Sequence, residues 1–444
     1  MDIDKIIEVC QGKIVNESYS KNKKIRNIKI DSRKVKKGDL FVAIVGAKHD
    51  GHDFVEEAIN KGARAIIVEK NISLDTKIPI IKVKSTYESL INLASYQRSK
   101  YNIPLIAITG SNGKTTTKDL IGAILSTKYN VLKSEGNNNN HIGIPKTLFK
   151  IKSNHDVIVA EFGMNHIGEI SLLSKLCKPN VAVITNIGSA HIGNMGSKRK
   201  IFKAKTEILD GMEEGTLIVN GDDKYLKTLK ETEKISIIKC GRNQNNDLII
   251  YDVKSTFDKT TFKIRLFDKE YKIIFNVPGV HLINNVILAI QVGLLFKIPI
   301  EVIIDVIKSF KIENQRMNII KLRKNTTLID DCYNSSYESL IGVLELIKNR
   351  PLNKIIILGD ILELGKYSKR IHLKIGRYLK NISNKTVLLV GKETKIIKNS
   401  GYHFNTNQEL IEHLKEMDLS NSIILVKGSR AMKLEEVVQY LKNI

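Results

Sequence analysis

Residues 106–120, IAITGSNGKTTTKDL, decide how this chain is read. An apolar run at 105–108 stops at Thr109, and a short polar turn carries Gly113, Lys114 and Thr115 into a segment of helical character. The pattern predicts a buried strand, a loop and a helix start, the opening of a nucleotide-binding α/β unit. Backbone N–H groups of Gly110, Ser111, Asn112, Gly113, Lys114 and Thr115 are expected to face an anion. The helix N-terminus adds partial positive charge, and Lys114 reaches the outer phosphates. Thr115 then offers its hydroxyl to Mg2+, and the candidate cofactor-binding run closes at Thr116. The spacing G-x-x-x-x-G-K-[ST] is not met, because Ile108 stands where its first glycine belongs, and the shorter Gly110-x-x-Gly113-Lys114-Thr115 remains. A Lys-Thr pair opening a helix is needed by no ordinary turn, so phosphate binding outweighs a plain Gly-Asn turn.

Around this loop, 444 residues are too many for one ordinary domain. Short apolar runs alternate with helix-like segments, which places the chain in the α/β class. The formal charge of +24 would suit a nucleic-acid binder, but the basic residues are mostly Lys and are scattered through every segment. A nucleic-acid footprint is a clustered stripe, so no nucleic-acid partner is expected, while a basic surface still attracts polyanionic small molecules. Cys10, Cys177, Cys240 and Cys332 lie far apart with no C-x-x-C pair, which indicates neither zinc nor a disulfide scaffold. No apolar run approaches the roughly 18 residues that span a bilayer, and the start, MDIDKIIEVC, is acidic instead of basic. The expectation is a cytoplasmic chain without membrane insertion, acting as a monomer.

Strand candidates divide the chain into three. KIRNIKI, DLFVAIVG, RAIIVEK and IPIIKVK, with an amphipathic stretch at 54–61, predict a small α/β module over 1–100. A helix-like segment at 87–99 leads to the phosphate-loop strand. DVIVAEFG, VAVITNIG and GTLIVNGDD continue an open, mainly parallel sheet, followed by an antiparallel excursion over 248–277 and a buried helix after VPGVH; this unit spans 101–312. TTLIDDCYN, NKIIILGD, KTVLLVG and NSIILVKGS then predict another parallel α/β unit over 313–444.

Five segments keep the loop company in order: DSRKVKKGDLFVAIVGAKHDGHDF (31–54), GNNNNHIGIPKTL (136–148), AEFGMNHIGEI (160–170), TNIGSAHIGNMGS (185–197) and KGSR (427–430). With LGDILELG (358–365) they resemble the Mur ligase family over about 25–440, in particular the branch that joins UDP-N-acetylmuramoyl-tripeptide to D-Ala-D-Ala. The resemblance implies an N-terminal UDP-substrate domain, a central P-loop ATPase domain and a C-terminal Rossmann-like domain. It also implies ATP- and Mg2+-dependent amide formation through an acyl phosphate, in peptidoglycan precursor synthesis. Cations around the transferring oxygens and ligands for Mg2+ are what this chemistry asks of the chain. By the resemblance, Glu161 matches a metal-ligating Glu and His191 the His of a second metal site. Lys205 matches a position where a lysine is often carbamylated. Asn285 matches an adenine-contacting Asn, Arg316 an Arg that reaches the γ-phosphate, and Asp331 an acid on the ribose hydroxyls. Catalysis falls to Lys114, Lys205, His191 and Arg316, with Thr115, Glu161, His191 and Lys205 around metal. Asn137, Asn138, Asn139 and Asn140 match a loop on the UDP-muramoyl substrate, and Ser32, Arg33, His49, Asp50, Gly51 and His52 a uridine-substrate patch.

On the acceptor side, Asn334, Lys427, Ser429 and Arg430 are the candidate contacts, with Arg430 suited to pair with a dipeptide carboxylate. The sequence departs from the family at three places. Leu282 stands where an Asn is usual, Ser336 and Tyr337 replace an Asn and a Pro, and SKRK (197–200) replaces acidic or small residues. The rivals are a sibling ligase adding a single amino acid, folylpolyglutamate synthetase, and a nucleotide-binding paralogue without turnover, the last kept open by the altered YNSSYES and HLINN loops. DGHDF and GNNNNHIGIP argue against the first two.

Overall fold

The computed structural model describes residues 1–16, 24–46, 48–266, 269–312 and 316–443. Three sheets organise them. The first has β1 (Lys13–Ile14), β2 (Ile28–Lys29), β3 (Leu40–Val42), β4 (Ala65–Val68) and β5 (Ile80–Lys82), in the order β1-β5-β4-β3-β2. Its four β2–β5 strands are parallel and β1 runs antiparallel to β5. A helix at Ile3–Cys10, capped by Asp2, adds an apolar face that the sequence reading did not anticipate.

The middle sheet has nine strands: β6 (Leu105–Thr109), β7 (Val131–Lys133), β8 (Val157–Glu161), β9 (Val181–Ile184), β10 (Gly215–Asn220), β11 (Ile235–Gly241), β12 (Leu248–Ser255), β13 (Thr260–Leu266) and β14 (Lys269–Phe275). Their order is β14-β13-β12-β11-β10-β9-β6-β8-β7. β6, β8 and β9 are buried throughout and pair in parallel, as continuous apolar strands covered on both faces do. From β6 the chain goes out to β7, returns to β8, and then crosses to β9 on the other side. Strand order therefore reverses at β6, and the loop that follows it opens at the switch point where α/β sheets bind ligands. The antiparallel excursion is β12 to β14, and the buried helix after it is Ile283–Leu295.

The third sheet has β15 (Asn318–Leu322), β16 (Thr326–Asp330), β17 (Asn353–Gly359), β18 (Lys385–Val390), β19 (Tyr402–Phe404) and β20 (Ser422–Lys427), ordered β15-β16-β20-β17-β18-β19. The expected four parallel strands are its centre. β15 adds an antiparallel edge beside β16 to the expected parallel unit. Its half-exposed residues and its Lys give it no continuous apolar run to betray it.

Side chains bind the three units together. Arg98, at the end of the helix Thr86–Ser99, donates to Cys177 O at 2.9 Å, Tyr101 O at 2.6 Å and Ile103 O at 2.9 Å, tying the first unit's last helix to the middle one. All four cysteines are free and buried. No helix among the described residues is long and apolar enough to cross a membrane.

Candidate functional site

Two glycines give the loop after β6 its shape. Gly110 has φ +151°, and a Cβ there would lie 1.8 Å from Thr185 Oγ1. Gly113 opens the helix Lys114–Leu125 at φ +80°, and its Cβ would meet Asn285 Oδ1 at 2.2 Å. Neither position tolerates a side chain. Ser111 N donates to Asn186 O and Asn112 N to Asn186 Oδ1, each at 3.0 Å, while Thr185 Oγ1 and Asn186 Nδ2 donate to Asn112 O at 2.6 and 2.9 Å. The expected anion cradle is therefore corrected: the Ser111 and Asn112 N–H groups hold the loop to 185–186. Thr117 N makes the helix's first internal bond, to Gly113 O, so the N–H groups of Lys114, Thr115 and Thr116 precede the ladder at the positive end of the dipole. Lys114 Nζ folds back to Gly110 O at 3.0 Å. Burial lowers its pKa, with Glu161 opposing and Arg316 adding to the effect.

At the end of β8, Glu161 is 3% exposed and accepts from Thr115 Oγ1 and from Asn139 Nδ2, both at 2.9 Å. A hydroxyl and a carboxylate side by side suit a hard divalent cation. Lys205, on the helix Lys198–Thr206, is 2% exposed. Burial holds its pKa well below the ordinary lysine value, Lys114 pushes the same way, and Glu161 opposes. His191 sits at φ +61° with Nδ1 2.6 Å from Glu363 Oε2 of the third unit, and its Nε2 has no hydrogen-bond partner among the described residues. The same residues contain no cluster of three or more His, Cys, Asp or Glu side chains.

The third unit folds over this centre. Asp331 and Lys427, expected on different ligands, form one buried pair at 2.6 Å; Lys427 also reaches Asn334 O at 3.1 Å, and Asp331 Oδ1 accepts from Met317 N at 3.2 Å. Ser429 Oγ accepts from Leu362 N at 2.8 Å, so it braces the 359–365 loop. Arg316 and Arg430 lie 4.4 and 5.6 Å from the Tyr333 ring, and the Tyr333 hydroxyl donates to Asn137 Oδ1 across the units. Arg316 Nε is buried and has no partner, while Arg430 contacts Glu435 at 3.4 Å. Asn334 Oδ1 accepts from Ser335 N at 2.8 Å.

Two of the three departures noted in sequence meet here. Ser336 caps the helix Tyr337–Lys348 and donates to Asn112 Oδ1 at 2.9 Å. Glu338 accepts from Ser189 Oγ at 2.7 Å and pairs at 2.9 Å with Lys198 of the SKRK stretch. Burial raises the Glu338 pKa, but Lys198 and the Ser189 bonds outweigh it and hold the carboxyl below its ordinary value.

The four asparagines of 137–140 each have separate work. Asn137 meets Tyr333 and Asn139 meets Glu161. Asn140 Oδ1 accepts from Gly143 N at 2.8 Å, closing the turn that leads into the helix Gly143–Leu148, and Asn138 packs where a Cβ on Gly143 would stand.

In the first unit, Ser32 Oγ donates to Glu57 at 2.5 Å, and Arg33 pairs with both oxygens of Asp31 at 2.9 and 3.1 Å. Asp50 accepts from His52 N at 3.0 Å, stands 2.6 Å from His52 Nδ1 and pairs with Lys70. His52 Nε2 accepts from Glu69 N at 3.0 Å, which fixes Nδ1 as its protonated nitrogen. A Cβ on Gly51 would strike Ile44 N at 2.6 Å, and His49 is exposed. Lys146 was not anticipated: burial lowers its pKa, Lys34 of the first unit pushes the same way, and Asp31 opposes. Asn186, Glu338 and Glu363 were missed as well, since each acts through residues distant in sequence.

Three units, with a phosphate loop at the switch point of the central sheet and a third unit folded over it, define a nucleotide-dependent ligase architecture. Three family profiles match along the chain: the Mur ligase family, catalytic domain, over residues 24–106, the Mur ligase middle domain over 108–293, and the Mur ligase, glutamate ligase domain over 315–430. The UDP-N-acetylmuramoyl-tripeptide--D-alanyl-D-alanine ligase of Buchnera aphidicola subsp. Baizongia pistaciae is 33% identical over 99% of this chain and 98% of its own length. A crystal structure of MurF from Acinetobacter baumannii superposes with a TM-score of 0.92 at 28% identity, covering 100% of this chain and 99% of the other. MurF ligase from Thermotoga maritima in complex with ADP gives 0.85 at 26% identity, over 96% and 99%. The chain belongs to the Mur ligase family.

Proposed function

We propose that this chain is the ligase that adds D-alanyl-D-alanine to UDP-N-acetylmuramoyl-tripeptide at the expense of ATP in the cytoplasm, working as a monomer with domains at 1–100, 101–312 and 313–444. The observation that carries the reading is the end-to-end match to a curated ligase of that specificity. ATP transfers its γ-phosphoryl group to the tripeptide's terminal carboxylate and leaves as ADP. The dipeptide amine then attacks the acyl phosphate carbon, the tetrahedral adduct loses its proton, and inorganic phosphate departs as the amide forms.

Each residue has a share in this. Lys114 and the N–H groups of 114–116 hold the outer phosphates, and Arg316, with its unpartnered Nε, adds positive charge from the domain junction. Asn285 backs the loop and faces the base, and Asp331, held by Lys427, meets the ribose. Thr115, Glu161, His191 and Lys205 fit Mg2+ by the chemistry of their donors, the Thr115–Glu161 contact above all. Bound there, Mg2+ neutralises charge on the transferring oxygens. Burial favours the neutral amine of Lys205, the form that adds CO2 to become a carbamate. Ser32, Arg33, His49, Asp50 and Gly51, with Asn137 to Asn140, serve the UDP-substrate, His52 bracing that patch from behind through Asp50 and Glu69 N, and Asn334, Ser429 and Arg430 serve the dipeptide.

Phosphate release with ATP and Mg2+, omitting the UDP-tripeptide and D-Ala-D-Ala in turn, tests the reading with mass detection of the product. Release that needs both substrates and yields UDP-muramoyl-pentapeptide is expected. Release supported by a single amino acid in place of the dipeptide would reassign the chain to a sibling ligase.

A further inference from the structure

The segment 359–365 carries part of the third domain onto the turn at 191–196. Gly193 N donates to Glu363 O at 2.9 Å, and a Cβ on Gly193 would lie 2.6 Å from that oxygen, so glycine lets the two loops interlock. The Tyr367 hydroxyl donates to Gly196 O beside them. At the centre of this clasp, two side-chain-bearing residues both adopt left-handed backbone, His191 at φ +61° and Glu363 at φ +63°. Such conformations cluster where function demands them.

The two meet head to head, Nδ1 to Oε2 at 2.6 Å. The His191 Nδ1 atom is buried and makes no aligned hydrogen bond, and the Glu363 carboxylate, 2.6 Å away, is the acceptor within its reach. The Glu363 side chain is 53% exposed. An ion pair that open contributes little to stability, which gives no structural reason to hold two strained residues together across a domain boundary. A metal-ligating imidazole, by contrast, regularly donates its second N–H to a carboxylate, which sets its tautomer and orientation.

We propose that Glu363 is a positioning residue for His191. It accepts the Nδ1–H hydrogen bond and thereby leaves the Nε2 lone pair for a divalent cation, so the second metal position is completed only when the third domain lies against the middle one. The inference rests on the reading of His191 as a metal ligand. It extends that reading by making domain closure a condition of metal binding.

The test uses the full-length chain, its Glu363→Ala and Glu363→Gln variants, and His191→Asn as reference. Imidazole 15N shifts of the metal-free protein, recorded above the histidine titration range, report the tautomer. Mn2+ titration in the presence of ADP, followed by electron paramagnetic resonance, reports the metal. Expected are an Nδ1–H tautomer at His191 that is lost in Glu363→Ala and kept in Glu363→Gln, whose amide oxygen still accepts. Mn2+ binding at the His191-dependent position should weaken by about 10–100-fold in Glu363→Ala. An unchanged tautomer and Mn2+ affinity in Glu363→Ala, with binding lost in His191→Asn, overturns the proposal and leaves the ligand reading intact. A fall in melting temperature with an unchanged tautomer overturns it too, as a structural role would. Unaltered Mn2+ binding in His191→Asn removes the ligand reading itself.

Discussion

His52 and His191 each stand with Nδ1 2.6 Å from a carboxylate oxygen, Asp50 for the first and Glu363 for the second. The first pair closes a turn inside one domain; the second bridges two. His52 has no nitrogen left, because Nε2 accepts from Glu69 N at 3.0 Å and the ring is 6% exposed. His191 keeps Nε2 without a hydrogen-bond partner among the described residues. The second nitrogen thus decides whether a histidine in a family motif is free to take a ligand role, and DGHDF and SAHIG do not differ on that point when read as strings.

Four changes test the contrast, in descending order of effect. Lys114→Ala sets the scale of a direct loss at the phosphate: release should fall by about 100–1000-fold with UDP-substrate binding unchanged in calorimetric titration. Equal loss of both would detach the loop from the transferring phosphate. His191→Asn, with a side chain that tolerates left-handed backbone, should lower phosphate release by about 10–100-fold while the urea midpoint holds. A lower midpoint in step with activity would make it a second His52.

His52→Ala should do the reverse. Removing the ring strands the Glu69 N–H and a face of Asp50, a cost of about 1–3 kcal/mol in urea unfolding, while turnover per folded molecule is retained. Reduced turnover at full folding would bring His52 into the chemistry. Asp50→Asn tests the same knot through pH. The Lys70 ammonium, then the His52 N–H, hold the Asp50 carboxyl below its ordinary range against an opposing effect of burial. A depressed folded pKa gives stability that is complete at neutral pH and drains away as pH falls below about 4. The variant's urea midpoint should therefore decline less on the acid side than the wild type's, and parallel declines would show that the knot contributes nothing.

Much of the fold was legible because buried parallel strands are uninterrupted apolar runs; β6, β8, β9, β17 and β20 all announce themselves this way. β7, β11, β15 and β19 did not, since they are short or half-exposed and polar residues interrupt their apolar runs. In the candidate site, Gly110, Gly113, Lys114 and Thr115 could be read as a loop because their work is local backbone geometry. Partnerships across the chain could not. Lys427 reaches Asp331 over 96 residues and Ser336 reaches Asn112 over 224, distances at which no periodicity operates. The atypical SKRK and YNSSYES stretches looked like separate lapses from the family pattern, and they come together where Lys198 meets Glu338.

The cysteines, unremarkable as chemistry, make the molecule its own recorder of breathing. Burial pushes Cys10 up to about 11 and Cys177 up to about 12, and raises Cys240 and Cys332 as well, so none presents a thiolate at neutral pH while its surroundings stay packed. Cys10 lies in the first domain, Cys177 and Cys240 in the middle one and Cys332 in the third. A thiol reagent applied in pulses to the unaltered protein would time the opening of each domain separately, with no label engineered in.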